Sequence, residues 1–120
     1  MTKKTTNQER GRYSRNKGKV FEQALVRLFK EHGFLAKREW EYDEGKTYDV
    51  TVKVDNQTSF RIQAKCMANQ PNISKIMSEM EVDEINDIPM VVFKVSRKGV
   101  YAAFKIDDAM LLMNAFGIRK

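Results

Sequence analysis

Apolar and polar residues alternate along two neighbouring stretches of the chain. In Tyr48-Asp49-Val50-Thr51-Val52-Lys53-Val54 the apolar positions are 48, 50, 52 and 54. In Phe60-Arg61-Ile62-Gln63-Ala64-Lys65-Cys66 they are 60, 62, 64 and 66. A period of two marks half-buried strands, and the intervening Asp55-Asn56-Gln57-Thr58-Ser59 has turn chemistry. Upstream, Val20, Phe21, Ala24, Leu25, Leu28 and Phe29 recur at i, i+4 and i+8 steps. That stripe predicts a helix from about residue 16 to 32, with Asn16 or Ser14 as cap and Gly33 as stop. Residues 35–42 predict a first strand, followed by a charged loop at Asp43-Glu44-Gly45-Lys46. Asn69-Gln70-Pro71-Asn72 breaks the pattern and opens a helix from about 73 to 86, with Ile73, Ile76, Met77 and Met80 on its apolar face. Pro89 closes the next connection. Met90–Val95 and Val100–Ile106 then read as strands joined at Ser96-Arg97-Lys98-Gly99. A last helix runs from Asp108 to about Phe116, with Asp107 as N-cap and Gly117 as its end. The predicted order is α-β-β-β-α-β-β-α, an α/β chain with a central mixed sheet flanked by helices.

Length and charge change this picture in one respect. The chain has 120 residues, enough for a single core but not for two. No apolar run approaches the roughly 20 residues of a membrane span. The N-terminus lacks the apolar segment of a secretory signal. A single cysteine forms no internal disulfide and fits a reducing cytoplasm. The net charge of +6 is confined to one place. Residues 1–19 carry seven basic side chains against Glu9 alone, whereas the remainder balances at 15 of each sign. Residues 1–15 therefore read as a basic, flexible arm ahead of a domain over 16–120. Arg10, Arg12 and Arg15 of the arm, with Lys17 and Lys19 just after it, are the candidate phosphate contacts, since such segments bind polyanions through counterion release. A solvated leader is the bland alternative.

Strand alternation also gives candidate chemistry. Successive side chains point to opposite faces, so Asp49, Gln63 and Lys65 fall on the non-core faces of adjacent strands. A carboxylate, an amide oxygen and an ammonium group brought together there suit a metal-dependent phosphodiesterase. The oxygens take a hard cation such as Mg2+, with Mn2+ as a substitute, and the lysine sits near the scissile phosphate. Glu22 lies at the border of the helix stripe, where its carboxylate reaches across the sheet edge. Cys66 alternates to the core side and reads as a structural thiol. His32, the only histidine, sits at a helix end where it interacts well with the dipole. Trp40, Tyr42 and Tyr48 flank the proposed site, as packing residues or as contacts to a sugar or base.

These residues resemble the PD-(D/E)xK nucleases: an acid on a first helix (Glu22), an Asp on one strand (Asp49), and Glu-x-Lys or Gln-x-Lys on the next (Gln63, Lys65). Lys17-Gly18, Glu22, Leu25, Leu28 and His32-Gly33-Phe34 look like the start of an archaeal-type Holliday junction resolvase. The Gln-Ala-Lys form is more similar to Mrr-type restriction endonucleases. The resemblance spans roughly residues 16–106, and a D-x(13)-Q-x-K pattern gains its meaning from the strand–turn–strand context. Tyr48 stands where the family usually has Pro, and Gln63 where Glu is commoner, which removes a negative charge from the metal site.

The resemblance implies a restriction-endonuclease-like fold and a Mg2+-dependent endodeoxyribonuclease. Asp49, Gln63, Glu22 and the Ala64 carbonyl would be metal ligands, and Lys65 would orient the attacking water and hold the phosphate. With no separate sequence-reading domain, DNA shape is the expected determinant of specificity and a four-way junction the expected substrate. Symmetric cutting at a junction implies a C2 homodimer, built on the helix at 73–86 or the terminal helix. A restriction- or repair-type endonuclease, and a non-catalytic DNA-binding module with a decayed site, are the alternatives.

Overall fold

The computed structural model describes residues 7–39, 47–83 and 85–115, with side chains from residue 17 onward. The order is α1 (Asn7–Glu31), β1 (Leu35–Arg38), β2 (Val50–Lys53), β3 (Ser59–Met67), α2 (Ile73–Glu79), β4 (Asp87–Val95), β5 (Gly99–Ala103) and α3 (Ile106–Ala115). The strands form one sheet in the order β1-β2-β3-β4-β5. β1, β2 and β3 make an antiparallel meander; α2 crosses over to β4, which lies parallel to β3, and β5 returns antiparallel. This is the α/β architecture that the periodicity predicts. No described helix is long and apolar enough to cross a membrane.

Alternation divides the core into two layers. Val50, Val52, Ile62, Met90 and Val92 pack with Phe21 and Leu25 of α1, and Phe60, Ala64 and Cys66 line the same layer. Val91, Phe93 and Val95 face the other way and pack against Ile73, Ile76 and Met77 of α2. β4 is thus buried on both faces, which explains why residues 90–93 are apolar without interruption. The thiol of Cys66 lies in the α1 layer, as its position in the alternation requires.

Several boundaries differ from the pattern. α1 begins at Asn7 rather than near 16. Once the apolar turns nucleate a helix, extension through Gln, Glu, Arg and Lys costs little, so its polar start gave no periodic signal. Its buried face is also rotated: Phe21, Leu25, Val26 and Phe29 pack inward, while Val20 and Leu28 are 63% and 47% exposed. The helix ends at Gly33 (φ 89°), where Phe34 N–H donates to the Phe29 carbonyl at 3.0 Å and the two rings meet edge to face. That is a glycine-terminated stop with its usual hydrophobic contact.

α2 stops at Glu79 instead of 86: Met80 is already extended (ψ 124°), and Asp83 then holds a turn. Its carboxylate accepts from the Ile85 N–H at 2.9 Å and from the Asn86 amide at 3.0 Å. β4 consequently starts at Asp87 and includes Pro89, beyond the last β4–β5 pair, Val91 with Ala103. With a partner strand on one side only, proline is tolerated there. α3 starts at Ile106, since the Lys105 carbonyl accepts from the Asp108 and Ala109 N–H groups. Asp107 therefore lies inside the first turn and is not the cap, though its charge still suits the helix dipole. Residues 40–42 of the predicted first strand, the loop at 43–46, and Phe116 and Gly117 lie outside the described residues.

Candidate active site

Asp49 precedes β2 and is fixed on three sides. Its N–H donates to the Ile62 carbonyl at 2.7 Å, its own carbonyl accepts from Glu39 N–H at 2.8 Å, and carboxylate Oδ2 accepts from Ala64 N–H at 2.9 Å. The last bond sets the carboxylate against the middle of Gln63-Ala64-Lys65. Because Ile62, Ala64 and Cys66 turn toward α1, Gln63 and Lys65 turn the opposite way. The three polar residues meet in an open cavity of about 310 Å³, lined also by Thr47, Tyr48, Ile76 and Glu79. The Thr47 hydroxyl bonds to the backbone of Glu81, donating to its carbonyl and accepting from its N–H. That clasp ties the end of α2 to the segment entering β2, so the cavity has a fixed second wall.

Glu22 lies elsewhere. It faces the sheet from α1, and its Oε1 is 3.7 Å from Arg38 Nε, an ion pair at the end of β1. It does not line the cavity that holds Asp49, Gln63 and Lys65. The two are linked through β1, where Arg38 pairs with Val50 and Glu39 N–H bonds to the Asp49 carbonyl.

A polar network beside the cavity escaped the sequence pattern. Glu39 and Thr51 are 8% and 7% exposed. The Thr51 hydroxyl donates to Glu39 Oε1 at 2.6 Å and accepts from Arg61 Nη1 at 2.9 Å. Arg61 Nε forms an ion pair with Asp87 Oδ2 at 3.0 Å, and its guanidinium lies 5.1 Å from the Tyr48 ring centre. The network spans β1 to β4, and each charge it buries has an opposite partner, the condition for tolerating such burial. Alternation identifies Thr51 as facing away from α1 but not that Arg61 and Glu39 cover it. Glu79 was missed for a similar reason: nothing local in the sequence relates a helix glutamate to Asp49, 30 positions earlier.

Beyond Arg61 lies a larger open cavity of about 490 Å³, bordered by Lys30, Lys37, Lys53 and Arg61. Tyr48 lines the first cavity and Arg61 the second, so the two adjoin at this cation–π contact. This second cavity is thus a basic groove, although the charge of residues 20–120 balances overall. Lys17 and Lys19 are exposed on α1; the side chains of Arg10, Arg12 and Arg15 lie outside the described residues, as do Trp40 and Tyr42. His32 Nδ1 is 2.9 Å from the Leu28 carbonyl, at the helix end.

No family model matches this sequence, and no curated protein matches it. Among solved structures, the chain is similar to Hjc of the archaeal hyperthermophile Archaeoglobus fulgidus, a Holliday junction resolvase. The two superpose with a TM-score of 0.55 at 17% identity, over 73% of this chain and 72% of that one. At that identity the likeness is one of fold: a mixed five-stranded sheet flanked by helices, arranged as in an archaeal junction resolvase.

Proposed function

We propose that this protein is a Mg2+-dependent DNA endonuclease that resolves four-way junctions. The observation that carries the reading is the convergence of Asp49, Gln63 and Lys65 in one cavity, on a resolvase-like fold. The donors suit the cation. Among the described residues no group of three His, Cys, Asp or Glu side chains converges, and the cavity offers oxygen ligands only. Mg2+ is commonly held by one or two carboxylates, keeping several waters and completing its shell with substrate phosphate. Asp49, the Gln63 side-chain oxygen and the Ala64 carbonyl would hold it. When bound, it supplies charge neutralisation and Lewis-acid activation at the phosphodiester.

The chain's own groups divide the remaining work. Ala64 N–H orients the Asp49 carboxylate, so little ordering is left when substrate arrives. Lys65 grips a non-bridging phosphate oxygen, orients the attacking water and stabilises charge that grows in the transition state. Glu22, across β1, acts by positioning Arg38 and the strand that holds Asp49. The basic groove at Lys37, Lys53 and Arg61 continues the phosphate path, and Arg10, Arg12, Arg15, Lys17 and Lys19 extend it along α1. α2 spends its apolar face on β4, whereas α3 exposes Ile106, Met110, Leu111 and Met113. α3 is accordingly the surface we assign to a cytoplasmic homodimer.

Labelled four-way junction, duplex and single-stranded DNA, each incubated with Mg2+, test this reading. We expect paired cuts in the junction. Cuts confined to duplex would favour a restriction- or repair-type enzyme. Tight binding without any cut would mark a decayed site, and neither binding nor cutting would remove DNA from the account.

A further inference from the structure

We propose that Glu79, the last residue of α2, is a metal ligand of this site and supplies the charge that Gln63 lacks. The proposal rests on reading the cavity as a metal-dependent nuclease centre.

Glu79 is one turn beyond Ile76, and both border the cavity that contains Asp49, Gln63 and Lys65. Two anchors hold that end of the helix in place. Met80 is buried, with its N–H donating to the Met77 carbonyl, and Glu81 is clasped by Thr47. The placement of Glu79 has no explanation in helix stability, because a carboxylate at a helix C-terminus faces the negative end of the dipole. α2 has no basic residue in its last turn to offset it. Among the described residues the Glu79 side chain takes part in no ion pair or hydrogen bond. The exposed Glu79 carboxylate, at the rim of a cavity with other oxygen donors and facing an unfavourable dipole, is placed to take a divalent cation as its partner.

Charge leads to the same partner. With Gln63 neutral, Asp49 brings one negative charge from the strands and Lys65 opposes it. Adding Glu79 gives two carboxylates and an amide oxygen, a set that suits a small hard cation retaining some of its water. Lys65 is the competing partner: an ion pair across the cavity would neutralise Glu79 without any metal.

Mn2+ titrated calorimetrically into the full chain without DNA separates these. The wild type is compared with Glu79→Gln, Asp49→Asn and Gln63→Glu/Glu79→Gln, all checked for folding by circular dichroism. We expect Glu79→Gln to weaken Mn2+ binding by about tenfold or more, and the double variant to restore it to within about threefold, since ligand charge count sets affinity. If Glu79→Gln binds as wild type while Asp49→Asn loses the metal, the assignment of Glu79 is overturned and the nuclease reading stands. If the wild type takes up no Mn2+ even after an uncleavable phosphorothioate junction is added to complete the metal's shell, both fall together.

Discussion

Asp49 shows how much one residue's surroundings decide. Its carboxylate is set by a backbone N–H of the neighbouring strand, so its position is a property of the β2–β3 register and not of a flexible side chain. Asp49, Gln63 and Lys65 were legible because alternation fixes which face a strand residue takes, and a short hairpin fixes which residues are neighbours. Glu39, Thr51 and Glu79 were not, because what covers a face depends on chain segments far away in sequence. The Glu39–Thr51–Arg61–Asp87 network makes a stability prediction at this scale. Arg61→Ala removes the cation that faces the buried Glu39 and the half-buried Asp87, and should cost about 3 kcal/mol, near the lower end for breaking a buried pair. Urea unfolding measures it. A loss within experimental error of zero would mean that Lys37, 3.8 Å from Glu39, suffices as counter-charge.

Among the elements, type and order were legible throughout and the ends were not. Apolar periodicity reports a helix only while one side is buried. It therefore missed the polar first turns of α1, and it overran α2, which ends at the extended Met80 ahead of the turn at Asp83. Two such turns have a pH signature. The Asp55 carboxyl is held below its ordinary 3.8 by the N–H groups of Gln57 and Thr58, and that of Asp83 mainly by the Ile85 N–H and then by the Asn86 amide. With the folded-state values lowered, the unfolded chain binds protons first as pH falls. The stabilisation is therefore present above 3.8 and is lost as pH drops through the folded-state values. Asp55→Asn/Asp83→Asn keeps the acceptor oxygens without the titration. Its unfolding midpoint should fall less than that of the wild type between about pH 5 and pH 3. Equal acid sensitivity of the two proteins would show that neither turn matters to it. In the sheet, Ile62 is fully buried between β2 and β4, so Ile62→Ala should destabilise by about 2–5 kcal/mol through lost burial and the cavity left behind.

For the whole molecule, the charge distribution and the exposed helix make separate predictions. Deleting residues 1–15 takes away Lys3, Lys4, Arg10, Arg12 and Arg15, together with the first turns of α1, but leaves its packed face from Phe21 onward. If about four of those cations contact phosphate, the slope of log K against log salt should fall by about 3 to 4 units, with turnover on saturating DNA changing less than affinity. An unchanged slope would assign the DNA contacts to the groove at Lys37, Lys53 and Arg61. Leu111→Glu places a charge on the exposed face of α3 and should turn a dimer into a monomer in sedimentation equilibrium. Persistence of the dimer would move the interface off that helix.

The central claim is that the cavity at Asp49, Gln63 and Lys65 cuts DNA, and its most direct test is junction cleavage in Mg2+ by the wild type, Asp49→Ala and Lys65→Ala at matched occupancy. Asp49→Ala and Lys65→Ala should each abolish cutting while binding the junction within a few-fold of wild type. Wild-type turnover in both variants would contradict the account.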